Sequence, residues 1–346
     1  FFSSRRRHTR LRTVTGVQTC ALPICFLQVP YSHNLGGWAN VMIPCTVIAR
    51  GKGPTVLILA GNHGDEYQGQ IAIMKLAREL SPEQISGRLI LIPSLNFPAA
   101  RAATRLSPVD GMNMNRAFPG TPEGAVTSQI AHYLTTVLFP LSDVVIDIHS
   151  GGRSMEFVPC STMHLVADRA QRRTMLDAML AWNSDFAFLY ADIAGKGLLP
   201  VEAENQGKVV ITTEMGGSEN VTAQVHALTQ RGLRNVLAHL GHLAGPPASR
   251  QSLGLPPTRW VQSLSWEDYR FAPESGVYEN IIPLGSPVRK GQVVGAIHFL
   301  ERPERPQVDV TAHDSGILVA TRAPSLVTQG DCVAVIGHEC DPRSMP

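Results

Sequence analysis

From Trp38 onward, short apolar runs rich in β-branched residues alternate with stretches of helical period, and no other feature of the chain narrows the fold as far. Thr55–Ala60 (TVLILA), stopped by Gly61, has the pattern of a strand buried on both faces. Gln68–Leu80 places Ile71, Ile73, Met74, Leu76, Ala77 and Leu80 along one helical face and ends before Ser81-Pro82. Arg88–Pro93, Asp143–Ile148 and Lys208–Thr213 repeat the strand pattern, and Thr127–Leu138, Ala167–Trp182 and Val221–Leu243 repeat the helical one. Strands alternating with helices predict an α/β domain with a mixed, mostly parallel sheet.

The alternation stops at Gly245–Pro257, a stretch dense in Pro, Gly and Ser. Beyond it the helical period is lost, and Gly276, Gly285, Gly291, Gly295, Gly316, Gly330 and Gly337 punctuate short strands. The 346 residues therefore divide into an α/β domain at 26–245, a linker at 246–257 and a small all-β, barrel-like domain at 258–346, with residues 1–25 apart.

Residues 1–25 stand apart. They carry Arg5, Arg6, Arg7, Arg10 and Arg12, no acid, and no periodicity of either kind. Thr15, Gly16, Gln18, Thr19 and Pro23 interrupt the apolar stretch that a signal peptide requires. RTVTGVQTCALPIC resembles translated sequencing-adapter read-through, so the segment is expected to be a disordered artefact; a basic arm or export signal is the alternative. Those five Arg supply the whole of the +2 net charge. The remainder is mildly acidic and lacks the basic footprint of a nucleic-acid-binding surface. Cys45, Cys160, Cys332 and Cys340 show no C-x-x-C spacing, which predicts buried free thiols in a reducing cytoplasm. No apolar run approaches the ~20 residues of a membrane helix. A cytoplasmic protein without nucleic-acid or membrane partners is expected, and self-association into a homo-oligomer is left open.

In open α/β sheets, ligands bind beyond the carboxyl ends of the strands. Three strands here end in chemistry: Thr55–Ala60 runs into Gly61-Asn62-His63-Gly64-Asp65-Glu66, Asp143–Ile148 into His149-Ser150-Gly151-Gly152, and Lys208–Thr213 into Glu214-Met215-Gly216-Gly217. His63-x-x-Glu66 puts two donors one helical turn apart, although the same spacing also describes a solvated helix face. With His149 the set becomes two imidazoles and a carboxylate, the ligands of a catalytic zinc ion with a fourth position open. Asp147 precedes His149 by two and could orient its ring or cap a nearby loop. Glu214, at the end of an apolar strand, is the candidate general base; the plainer alternative is a Glu that opens a loop. Asn96–Gly120 is read as a long loop carrying Arg101, Arg105, Asn113, Asn115 and Arg116, types that bind a carboxylate or an oxyanion. The substrate is therefore expected to carry a free carboxylate.

Taken together, G-N-H-G-D-E, N-x-N-R-x-F-P-G, D-I-H-S-G-G and T-E-M-G-G resemble the succinylglutamate desuccinylase/aspartoacylase family, relatives of the zinc carboxypeptidases, over about residues 31–340. The resemblance implies a zinc-carboxypeptidase-like domain that deacylates a small N-acyl amino acid. It implies one Zn2+ on His63, Glu66 and His149, with Glu214 as general base and then acid. It further implies that Arg105 polarises the scissile carbonyl while Asn115 and Arg116 hold the amino-acid carboxylate. Trp38–Ile48, Arg231–Leu237 and the run SPVDGMNMNRAFPG resemble one branch of that family, the Nα-acetyl-L-2,4-diaminobutyrate deacetylases of ectoine breakdown. Two other readings are a metallocarboxypeptidase, which needs an open groove, and a binding protein on a degenerate hydrolase fold, which would lack Glu214 or a ligand. Gly285–Ile297 with Ala312–Ala320 resembles biotinyl/lipoyl half-barrels, but no Lys after Lys290 suits a carrier tip, so a structural lid is expected.

Overall fold

The computed structural model describes residues 24–191 and 195–341, so the artefact expected at 1–25 lies outside the described residues apart from Ile24 and Cys25. Those two open the first strand. In chain order the first half contains β1 (Ile24–His33), β2 (Gly36–Arg50), β3 (Thr55–Ala60), α1 (Tyr67–Glu79), β4 (Gly87–Ile92), α2 (Phe97–Ala102), α3 (Val126–Tyr133) and β5 (Val144–His149). Then follow β6 (Met155–Phe157), β7 (Cys160–His164), α4 (Arg169–Leu180), β8 (Phe186–Tyr190), α5 (Leu199–Asn205), β9 (Val209–Glu214) and α6 (Ala223–His239). The rest is β10 (Arg259–Ser263), β11 (Tyr269–Phe271), β12 (Gly276–Asn280), β13 (Pro287–Val288), β14 (Val293–His298), β15 (Val308–Thr311), β16 (Gly316–Arg322), β17 (Leu326–Val327) and β18 (Cys332–Glu339).

The centre of the molecule is the parallel run β4-β3-β5-β9, with every residue of β3 and β5 buried. Those strands are mostly apolar because both faces are covered; the polar residues of β5 and β9 gather toward their carboxyl ends, at Asp147, His149, Thr212, Thr213 and Glu214. Ile73 and Leu76 of α1 and Leu233 and Val236 of α6 pack with Ile58, Ile146 and Ile211 on one side. Ile130 of α3 and the adjoining Leu134 pack with Leu57, Leu59 and Val145 on the other. Antiparallel β1-β2 extends one edge, and β7 joins the far side antiparallel to β9.

The expected helix at 127–138 is α-helical only to Tyr133; Leu134–Leu138 continues as a π-helical turn. The expected long loop at 96–120 holds α2 and a 3₁₀ turn at Met114–Arg116. Pro98 does not break α2 because it sits in the first turn, where its missing N–H leaves no bond unmade.

The sheet continues across residues 246–257. β10 pairs parallel with β8, and β18, β16 and β13 follow it antiparallel. β6, from the first half, pairs with β16. A second sheet, β15-β14-β12-β17, encloses Val294, Ile297, Leu318, Val333 and Ile336 with β16 and β18. The connecting segment is tied down: Asn183 and Asn235 both donate to the Ala248 carbonyl, at 2.6 and 2.8 Å. Cys45 and Cys160 are buried free thiols, whereas Cys332 and Cys340 are only half-buried. No helix of the described residues is long and apolar enough to cross a membrane.

Candidate active site

The turn between β3 and α1 is shaped by close backbone contact. A Cβ on Gly64 would lie 2.0 Å from the carbonyl carbon of Ala99, so α2 packs against the turn only because residue 64 has no side chain. Glu66 donates its N–H to the His63 carbonyl at 3.4 Å, and α1 starts one residue later. His63 and Glu66 therefore share a tight turn before the helix, rather than the helical turn that their spacing suggested.

β5 and β9 each run one residue further than expected, so His149 and Glu214 are the last residues of their strands and are direct cross-strand neighbours. Glycine loops follow both. Gly151 donates to the Gly216 carbonyl at 2.8 Å, and a Cβ on Gly217 would lie 1.9 Å from the Met155 oxygen. The loops interlock because neither carries a side chain there.

The donor atoms of His63, Glu66 and His149 lie within 4.8 Å of one another, and all three residues are buried. His63 Nδ1 is 2.7 Å from Glu66 Oε1, and His149 Nδ1 is 2.8 Å from Glu66 Oε2. The outer nitrogens are engaged elsewhere: His63 Nε2 with Asn113 Oδ1 at 3.2 Å, and His149 Nε2 with Asp147 Oδ2 at 2.8 Å. Each outer Nε2 can donate to its oxygen, so Nδ1 is the nitrogen that each ring would turn to an ion taking the place of its Glu66 contact. Two imidazoles and a carboxylate with their ligand atoms this close suit a divalent ion such as zinc. It is the one such group of three or more among the described residues.

Charges reinforce the grouping. Burial alone would raise the Glu66 carboxyl, but His63 and His149 hold it far below the usual range. Burial lowers His63. Burial also pulls down on His149, yet the Asp147 and Glu66 carboxylates carry it well above its ordinary value. Glu214 is pushed up to about 8, chiefly by burial and then by the Glu66 charge. Its Oε2 is buried without a hydrogen-bond partner among the described residues.

Arg105 reaches this cluster, with Nη1 3.2 Å from His63 Nδ1 and 3.5 Å from Glu66 Oε1. Asn115 and Arg116 lie farther along the same segment. Asn115 Oδ1 accepts from Leu199 N–H at 2.9 Å, and Arg116 donates to the Asn115 carbonyl at 2.6 Å. Gly197 allows that wall to close, since a Cβ there would lie 2.5 Å from the Arg116 oxygen. Asn113, expected among the substrate-binding types, faces His63 instead. Asn62, which the motif reading passed over, donates to Asp147 Oδ2 at 3.2 Å and thereby supports His149. Arg101 lies over the Phe97 ring, 6.0 Å from its centroid.

Residues 52–240 match the succinylglutamate desuccinylase/aspartoacylase catalytic domain. The chain is 40% identical over 318 residues to the N-alpha-acetyl-L-2,4-diaminobutyric acid deacetylase of Halomonas elongata, covering 90% of each. It is 39% identical to an ectoine utilization protein of Ruegeria pomeroyi solved with product bound, with a TM-score of 0.86 over 90% of this chain and 94% of that one. A succinylglutamate desuccinylase/aspartoacylase from Rhodobacter sphaeroides is 38% identical, with a TM-score of 0.87 over 92% of this chain and 95% of its own. With the matched domain containing the whole buried cluster, this chain belongs to the succinylglutamate desuccinylase/aspartoacylase family.

Proposed function

We propose that this chain is a zinc-dependent amidohydrolase that cleaves Nα-acetyl-L-2,4-diaminobutyrate to acetate and 2,4-diaminobutyrate. The observation that carries the reading is the convergence of two imidazoles and a carboxylate beside Glu214, in a chain 40% identical to a deacetylase named for that substrate. His63, Glu66 and His149 would hold the ion, which supplies positive charge to polarise an amide carbonyl and to acidify water.

The chain's own groups do the rest. Burial and the Glu66 charge push the Glu214 carboxyl up, the direction that suits a residue that first takes a proton from water and then gives it to the leaving amine. Arg105 sits beside the cluster, where a guanidinium meets negative charge developing on the carbonyl oxygen. Arg116, with Asn115 Nδ2, presents donors for the substrate carboxylate on the wall shared with residues 195–199. Asp147 holds the outer nitrogen of His149 and so fixes its ring. Residues 258–341 are read as a small β domain that closes over the site, which suits a small cytoplasmic metabolite rather than a peptide.

Release of acetate from Nα-acetyl-L-2,4-diaminobutyrate, compared with release of acyl groups from N-acetylaspartate and N-succinylglutamate, tests the reading. Preferential turnover of the first, abolished by a chelator and restored by zinc, is expected. Preference for the succinyl compound would reassign the substrate, and chelator-resistant turnover would remove the metal.

A further inference from the structure

We infer that Gln68 is a positioning residue of the metal centre, an amide strut that sets the loop carrying His149 and the turn behind Glu214 against the helix that starts after Glu66. The inference rests on reading His63, Glu66 and His149 as a metal site. Gln68 is the second residue of α1 and is buried. Its Oε1 accepts from the Ser150 hydroxyl at 2.8 Å, and its Nε2 donates to the Asn220 carbonyl at 3.0 Å.

Both partners belong to the glycine loops rather than to α1. Ser150 follows His149 directly, and its N–H donates to Glu66 Oε2 at 3.2 Å. Asn220 closes the turn after Glu214 by donating to the Gly217 carbonyl at 3.0 Å. The two loops hold each other through backbone bonds, including Glu219 N–H to the Gly152 carbonyl at 3.0 Å. Glycine backbones of this kind have little side-chain packing to fix them against a neighbouring helix. Gln68 supplies that fixed distance, because its acceptor faces a hydroxyl and its donor faces a carbonyl. The helix comes close enough for this reach because the next residue is Gly69, where a Cβ would lie 2.6 Å from Ile148 Cβ. Asp65, on the other side of Glu66, makes a parallel tie by accepting from Arg153 N–H at 2.9 Å.

Zinc binding to the metal-stripped protein, competed against a chromophoric chelator, is the test. Gln68→Met keeps the side-chain length and removes both hydrogen bonds. We expect it to fold, to bind zinc ~10-fold or more weakly, and to lose kcat by a similar factor with KM changed less than about twofold. Ser150→Ala removes only the hydroxyl that Gln68 accepts from and should weaken zinc by a smaller factor. The double variant should be no worse than Gln68→Met, because both changes cut one link. Unchanged zinc affinity in the single variants, or losses that simply add, would overturn the inference. Should Gln68→Met fail to fold, Ser150→Ala decides: weakened zinc binding supports the strut, and unchanged binding overturns it. A wild-type chain that takes up no zinc overturns instead the metal-site reading beneath it.

Discussion

His149 is gripped at both ring nitrogens by buried carboxylates, Asp147 on one side and Glu66 on the other. Removing charge from the outer partner leaves the donor set intact but frees the ring to turn. Asp147→Asn should therefore weaken zinc ~10- to 100-fold, read by chelator competition, while the chain stays folded. Glu214 has the complementary character, since its Oε2 has no hydrogen-bond partner among the described residues and its proposed work is proton transfer. Glu214→Gln should keep its zinc, measured by metal analysis, and lose ~10²-fold or more in kcat. His63, Glu66, His149 and Glu214 were legible as a set because each stands where an apolar strand gives way to glycine. Asn62 and Asn113 were not, because what matters about them is which imidazole they touch. That contact is made only when residues 50 and 87 positions apart meet.

At the scale of the element, the four central strands β3, β4, β5 and β9 were readable to within a residue because burial on both faces leaves a mostly apolar run, whereas β1, β2, β7 and β8 were not read. The spacing of His63 and Glu66 fits a helical turn and a tight turn before the helix equally; the structure has the tight turn, and Gly64 lets α2 press against it. Gly64→Ala should consequently cost about 3 kcal/mol in urea unfolding and release zinc, because the clash is with backbone that cannot turn aside. The end of α6 gives a pH dependence. His242 is buried, and burial lowers its pKa against smaller opposing pulls from the Ser86 backbone and Asp143. A histidine held neutral in the fold contributes stability that is full above its unfolded pKa of about 6.5 and is lost as pH falls from there through the folded value. For the metal-free protein, the urea midpoint should drop less between about pH 7.5 and about pH 5 in His242→Phe than in the wild type. Equal slopes would show that His242 is already solvated.

For the whole molecule, the change of pattern after Gly245 suggested two bodies joined by a linker, yet the hydrogen bonds do not respect that seam. β10 pairs along its whole length with β8, from Arg259↔Phe186 to Ser263↔Tyr190. β6 pairs with β16 in the opposite direction of exchange. Val158, Cys160 and Phe188 share one buried cluster with Val261, Ile317, Val319 and Val335, so the apolar core also crosses the seam. Hydrophobic periodicity reports each strand's own burial and says nothing about its partner, which is why the composition shift was visible and the shared sheet was not. We propose that residues 26–245 and 258–341 are separate in chemistry but fold as one cooperative unit. Unfolding the β-rich part alone would strip the paired edge of β8 and expose Phe188 and Val158, so an intermediate of that kind is disfavoured. Scanning calorimetry should show a single transition whose van't Hoff and calorimetric enthalpies agree. A chain ended at residue 245 should aggregate rather than retain zinc and turnover. Two resolved transitions, or a soluble and active truncated chain, would restore the independent domains that the sequence pattern suggests.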